Sequence, residues 1–206
     1  MLKIQMCSQR LKCCAHFVMN TISQERFRRT ANYSGTIADL HATSKHRTPA
    51  SDAGIDITYI PMRRGFMYLC AIIDLKTRYV VSWSLSNTMS SEWCRQTVEQ
   101  AIALHGKPEI INSDQGTQFT SDVYIDYLKR LETVQISMDG KCRATDNIFI
   151  ERLWRSVKYE WIYLHVYENG TELYNGLEEY FRFYNEERFH ENLGYRTPGM
   201  IFNTAA

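Results

Sequence analysis

The sequence predicts an α/β domain built on a five-stranded mixed sheet, its first three strands antiparallel, flanked by helices. Two observations carry this expectation. Three β-rich runs succeed one another across short polar connections, and helical and strand patterns then alternate before the chain closes on two long amphipathic helices. Sequential hairpins give an antiparallel meander, whereas alternation of helix and strand adds strands by crossover, so both kinds of pairing meet in one sheet.

The first strand is Ile55–Ile60, which alternates apolar and polar residues and stops at Pro61; Phe66–Asp74 and Tyr79–Ser86 are the second and third runs. Met62–Gly65 and Leu75–Arg78 are short enough to be hairpin turns. Ser90–His105 reads as a helix with Ser90 as its cap and Gly106 as its stop. Glu109–Ser113 is a fourth strand, Ser121–Leu131 a helix and Val134–Met138 a fifth strand. A long helix is expected from about Thr145 and another over Glu172–Glu187. Ahead of these, Ser23–Ala31 suits a short helix, and Asn32–Gly54, rich in Thr, Ser, Ala and His, reads as a linker. The expected division is a partly disordered lead-in over 1–54 and a core over 55–206.

The bulk properties exclude several classes. The 206 residues are 44% hydrophobic and 23% charged, with a net charge of +1. No apolar run approaches the roughly 18 residues that span a bilayer, and Met1–Phe17 lacks the pattern of a secretory signal. A cytoplasmic protein with no membrane partner is expected. The six Cys, at 7, 13, 14, 70, 94 and 142, show no regular spacing. Cys70 and Cys94 read as small buried hydrophobes, and Cys7, Cys13, Cys14 and His16 lack the Cys-x2-Cys pair of a zinc site. Residues 1–54 hold eight Lys or Arg against three Asp or Glu, leaving sixteen against twenty elsewhere. Net charge therefore says little about nucleic acid, and local patches must decide.

Three carboxylates stand in informative contexts. Asp56 lies between Ile55 and Ile57, so a two-residue period puts it on the opposite strand face from them. Alone, it reads more readily as an edge-facing, solvated residue. Asp114 closes the fourth strand, where ligands bind in α/β sheets, with Gly116 offering a sharp turn; alone, it reads as an Asx turn. Glu151 belongs to a helix with two stripes. Ile150, Leu153, Trp154, Val157, Trp161 and Leu164 form the apolar one, and Asn147, Glu151, Arg155 and Lys158 the polar one. Alone, the polar stripe reads as a solvated face with a Glu–Arg pair.

Together the segments IDITYIP (55–61), NSDQGTQFTS (112–121), DNIFIERLWRSVKYE (146–160) and YNEERFHENLGYRTP (184–198) resemble the integrase-core transposases of bacterial insertion sequences, insertion-sequence family three in particular. The resemblance implies a ribonuclease-H-like fold and a catalytic, metal-holding triad of Asp56, Asp114 and Glu151. It also implies two Mg2+ ions, replaceable by Mn2+, since hard divalent ions prefer oxygen donors. Further implications are metal-dependent DNA cleavage and strand transfer, DNA partners in the form of element ends and target, and a homodimer or larger assembly on DNA. Arg155, Lys158, Gln115, Gln118 and Asn147 would then contact DNA. Arg188 and His190 either touch DNA or tie down the last helix, with Tyr195 and Pro198 as a lock.

Residues 1–54 depart from the family pattern, as do Cys142 and Phe189. These departures leave three other readings: a transposase relic that binds DNA without productive transposition, a DNA-binding protein reusing the fold, and a nuclease without strand transfer.

Overall fold

The computed structural model describes residues 52–138 and 148–204. Asn147, Cys142, the 139–145 connection and the expected features before residue 52 lie outside these. The described elements are β1 (Asp52–Pro61), β2 (Phe66–Asp74), β3 (Val80–Ser86), α1 (Ser91–His105), β4 (Ile110–Ser113), α2 (Asp122–Arg130), β5 (Gln135–Met138), α3 (Ile148–Ser156), α4 (Gly170–Glu186) and α5 (Pro198–Thr204).

The sheet is five-stranded and mixed, in the order β3-β2-β1-β4-β5. β1–β2 and β2–β3 pair antiparallel, as the short connections require, and β1–β4 and β4–β5 pair parallel. The turn after β2 is organised by buried Asp74, whose carboxylate accepts from Lys76 N at 2.9 Å and Thr77 Oγ1 at 2.8 Å. β1 begins at Asp52, so Asp52–Gly54 belongs to the sheet, not to the lead-in. Those three residues pair with Ile110, Ile111 and Asn112 of β4, and local composition carries no sign of so distant a partner.

One sheet face is covered by α1 and α2. Ala53, Ile55, Cys70 and Ile72 pack there with Cys94, Val98 and Ala101 of α1 and Tyr124 and Leu128 of α2. Cys70 and Cys94 are buried free thiols, as the sequence suggests. Ser90 caps α1 by accepting from Trp93 N at 3.2 Å, and Gly106 ends it at φ 84°. Ser121 caps α2 in the same way. On the other face, α3 packs on β1 and α4 on β3, burying Ile150, Leu153, Trp154, Leu173, Leu177 and Phe181. The Asn185 side chain of α4 bonds both Val80 N (2.9 Å) and Val80 O (3.0 Å), standing in for a strand neighbour at the sheet edge. Among the described residues, no helix is long and apolar enough to cross a membrane.

The long helix expected from Thr145 is shorter and changes its winding. After α3 the backbone takes a π turn over Val157–Trp161 and a 3-10 turn over Ile162–Leu164. The apolar stripe therefore fails at its end: Leu164 is 70% exposed and Trp161 half-buried, because a 3.6-residue period does not continue through wider and then tighter turns. α5 is a helix that the periodicity does not suggest. Tyr195, expected to help lock the C-terminus, is 70% exposed, whereas Pro198 is buried.

Candidate active site

Each of the three acids is delivered by a different element. β1 and β4 run parallel with Ile55 opposite Ser113, and continuing that register by one residue sets Asp114 beside Asp56 at the carboxyl end of β4. Asp114 leaves the strand in a tight turn, its Oδ1 accepting from Gly116 N at 2.9 Å. Gly116 is needed there for space, not for an unusual backbone angle. A Cβ on it would sit 2.9 Å from Asp114 Oδ1 and 3.0 Å from Gln118 Oε1, and its φ is not positive. The Gln118 side chain thus lies by the Asp114 carboxylate, while Gln115 is exposed.

Glu151 comes from the first turn of α3 and is exposed. That helix is fastened to β1 by two side-chain bonds. Trp154 Nε1 donates to Asp56 Oδ2 at 2.8 Å, and Lys158 Nζ donates to Thr58 Oγ1 at 2.7 Å. The spacings match: four helical residues advance about 6 Å, and two strand residues advance about 6.6 Å. Trp154 and Lys158 can therefore meet Asp56 and Thr58 in step. Arg155, the next helical position, is exposed.

The electrostatics link the acids. Burial pushes the Asp56 carboxyl from its ordinary 3.8 up to about 6, and repulsion from Asp114 and Glu151 adds to the rise. Bonds from the Trp154 indole and the Ile57 backbone oppose it. Burial lowers Lys158, against the attraction of Asp56. Asp56, Asp114 and Glu151 are thus electrostatic neighbours. Yet among the described residues no three His, Cys, Asp or Glu side chains close into a group that could hold a metal ion. The donor set still fits a hard divalent cation in its chemistry: carboxylate oxygens without thiolate or imidazole, one of them raised by burial and by its own kind.

Two residues at this site escape the sequence reading. Trp154 counts there as one apolar position in a stripe, although its N–H is a polar handle that must find an acceptor when buried. Thr58, two residues from Asp56, shares its strand face by simple alternation. Arg188 and His190 resolve toward the structural role. Arg188 makes a two-pronged ion pair with Glu160, at 2.8 and 2.6 Å, and Tyr180 donates to the same carboxylate. Burial, with Arg188 close by, pushes His190 down to about 4.

Comparison with known proteins gives consistent results. Two models, both described as integrase core domain, match residues 47–142 and 132–198. The transposase for insertion sequence element IS904 of Lactococcus lactis is 34% identical, over 69% of this chain and 57% of its own length. The putative transposase InsK for IS150 of Escherichia coli is 28% identical, over 88% and 67%. Transposase InsF for IS3A of Escherichia coli is 34% identical, over 52% and 38%. The chain thus spans between 38% and 67% of the length of these relatives. Among solved structures, the HTLV-2 integrase catalytic core in complex with magnesium superposes with a TM-score of 0.56 at 18% identity, covering 77% of this chain and 99% of that one. A chain of the simian T-cell lymphotropic virus intasome gives 0.65, also at 18%, covering 77% and 56%. At such identity the likeness is one of fold, which is ribonuclease-H-like.

Proposed function

The chain belongs to the integrase-core family, and from that premise we propose that it is the catalytic part of an insertion-sequence transposase. It cleaves DNA at element ends and joins the freed 3′ ends to target DNA. The observation that carries this reading is the placement of three acids from three elements around the inner strands β1 and β4, close enough for Asp114 and Glu151 to raise the Asp56 carboxyl.

Asp56, Asp114 and Glu151 are the residues that would hold Mg2+, or Mn2+ in its place. When bound, a pair of such ions activates an attacking oxygen and stabilises the leaving one in phosphodiester exchange. The protein's part is to hold the acids and the DNA. Asp56 is kept in place by Trp154, and Asp114 by the Gly116 amide. Arg155, exposed one turn beyond Glu151, is placed to take a DNA phosphate, and Lys158 supplies a second cation beside the acids. Gln115, Gln118 and Asn147 complete the DNA contacts. A homodimer or larger assembly on DNA fits this role, as does a cytoplasmic location. The residues before Asp52 stand as a lead-in to the catalytic core.

The reading is tested by incubating labelled element ends and target DNA with the full chain and Mg2+. Joined product, lost on chelation and absent for Asp114→Asn, is the expected result. DNA binding without cleavage or joining points to the relic, and cleavage without joining to a nuclease.

A further inference from the structure

The polar tip of Trp154 does something that core packing alone does not demand. Its indole N–H reaches 98 residues along the chain to Asp56 Oδ2, at 2.8 Å. The ring is 7% exposed, clamped between α3 and the sheet, so packing holds the direction of the N–H. An indole N–H can only donate; unlike a hydroxyl or an amide, it cannot reverse its role when its partner's surroundings change. The neighbouring candidate, Lys158, directs its ammonium to Thr58. Among the described residues, Trp154 is the side-chain donor to the Asp56 carboxylate. Glu151 lies three residues earlier on the same helix, so the bond that orients Asp56 also anchors the turn carrying Glu151.

We infer that Trp154 is a positioning residue for the metal-holding acids: it dictates which oxygen of Asp56 is free for a cation and sets how closely Glu151 stands to it. This rests on the catalytic reading above. The competing account is that Trp154 is a core residue whose N–H found a convenient acceptor. Deleting the N–H while keeping the ring separates the two: metal affinity falls if Trp154 positions the acids and holds if it only fills the core.

The experiment uses the full chain, titrated with Mn2+ alone by isothermal calorimetry, as wild type, Trp154→Phe and Asp114→Asn. Phe keeps an aromatic body and removes the donor. Outer-shell partners of this kind typically change metal affinity by about 10–100-fold. Trp154→Phe is expected to weaken Mn2+ binding by that factor with cooperative metal-free unfolding retained. Strand joining should need correspondingly more metal and recover at high Mn2+, with the half-saturating DNA concentration unchanged. Should the Phe variant fail to fold, site-specific replacement of the Trp154 indole by benzothiophene keeps the bicyclic shape and deletes only the N–H. Mn2+ affinity within twofold of wild type in a folded variant of either kind overturns the inference while leaving the catalytic reading intact. Wild-type Mn2+ binding that Asp114→Asn does not weaken takes both down.

Discussion

Asp56 is a largely buried carboxylate on a central strand, within electrostatic reach of two other acids. Its raised value means that the native chain holds a proton on this group between pH 3.8 and about 6, where the unfolded chain has released it. Stability is therefore lost as pH rises through that window, by about 3 kcal/mol at most on the size of the shift. Removing the charge removes the cost. Asp56→Asn should make the metal-free chain more stable at pH 8, its melting temperature rising by about 2–4 °C for each kcal/mol recovered, while joining is lost. Thermal melts at pH 4 and pH 8 check this: the wild type should lose stability relative to the variant as pH rises. An Asn variant less stable than wild type at pH 8 would show that Asp56 is not strained as an anion. This trait was only half legible in the sequence. Alternation puts Asp56 on the face opposite Ile55 and Ile57, but that Trp154 is its partner depends on a contact across 98 residues.

The segment after Glu151 joins several roles on one helix and its π turn. The two cations are not equivalent. Arg155 is exposed, so Arg155→Ala should leave stability within about 0.5 kcal/mol and reduce the salt dependence of DNA binding by about one unit. Lys158 is half-buried and bonded to Thr58, itself 7% exposed. Lys158→Ala should produce a similar change in salt slope, and also cost about 1–3 kcal/mol by leaving the Thr58 hydroxyl without its donor. Salt titrations of DNA binding alongside melts distinguish the pair, and equal effects on stability would contradict the geometry. The four-residue polar spacing is readable from sequence as far as Arg155. The inward turn of Lys158 is not, because a helical wheel assumes a constant period and the backbone widens at Val157. The same assumption misplaces Leu164 on the buried stripe. Strand positions fared better, since hairpin partners are close in sequence and turn residues mark both ends, whereas the first three residues of β1 depend on a distant strand, β4.

At the scale of the whole molecule, the C-terminal motif is wired to the segment that carries Glu151 and Lys158. Arg188, beyond α4, grips Glu160 within the π turn that carries Lys158. The pair is partly solvated, so Arg188→Ala should cost only about 1–2 kcal/mol after screening. It should also weaken DNA binding although no DNA contact is removed, and Arg188→Lys should restore this poorly because the two-pronged geometry is lost. Denaturant melts and binding isotherms on the two variants check both expectations. The fold class was legible because the hairpins and the helix–strand alternation are local in sequence, and the three acids stand out because each sits in its own ordered motif. The tie between Arg188 and Glu160 was not, since 28 residues and a change of direction separate the partners. The central claim is that Asp56, Asp114 and Glu151 form one catalytic site whose role is separable from holding DNA. The most direct measurement compares wild type and Glu151→Gln for joining of labelled ends in Mg2+ and for DNA affinity at the same salt. Loss of joining to background, with affinity equal or slightly tighter because one negative charge is gone, is the predicted result. Joining by Glu151→Gln at the wild-type rate would contradict it.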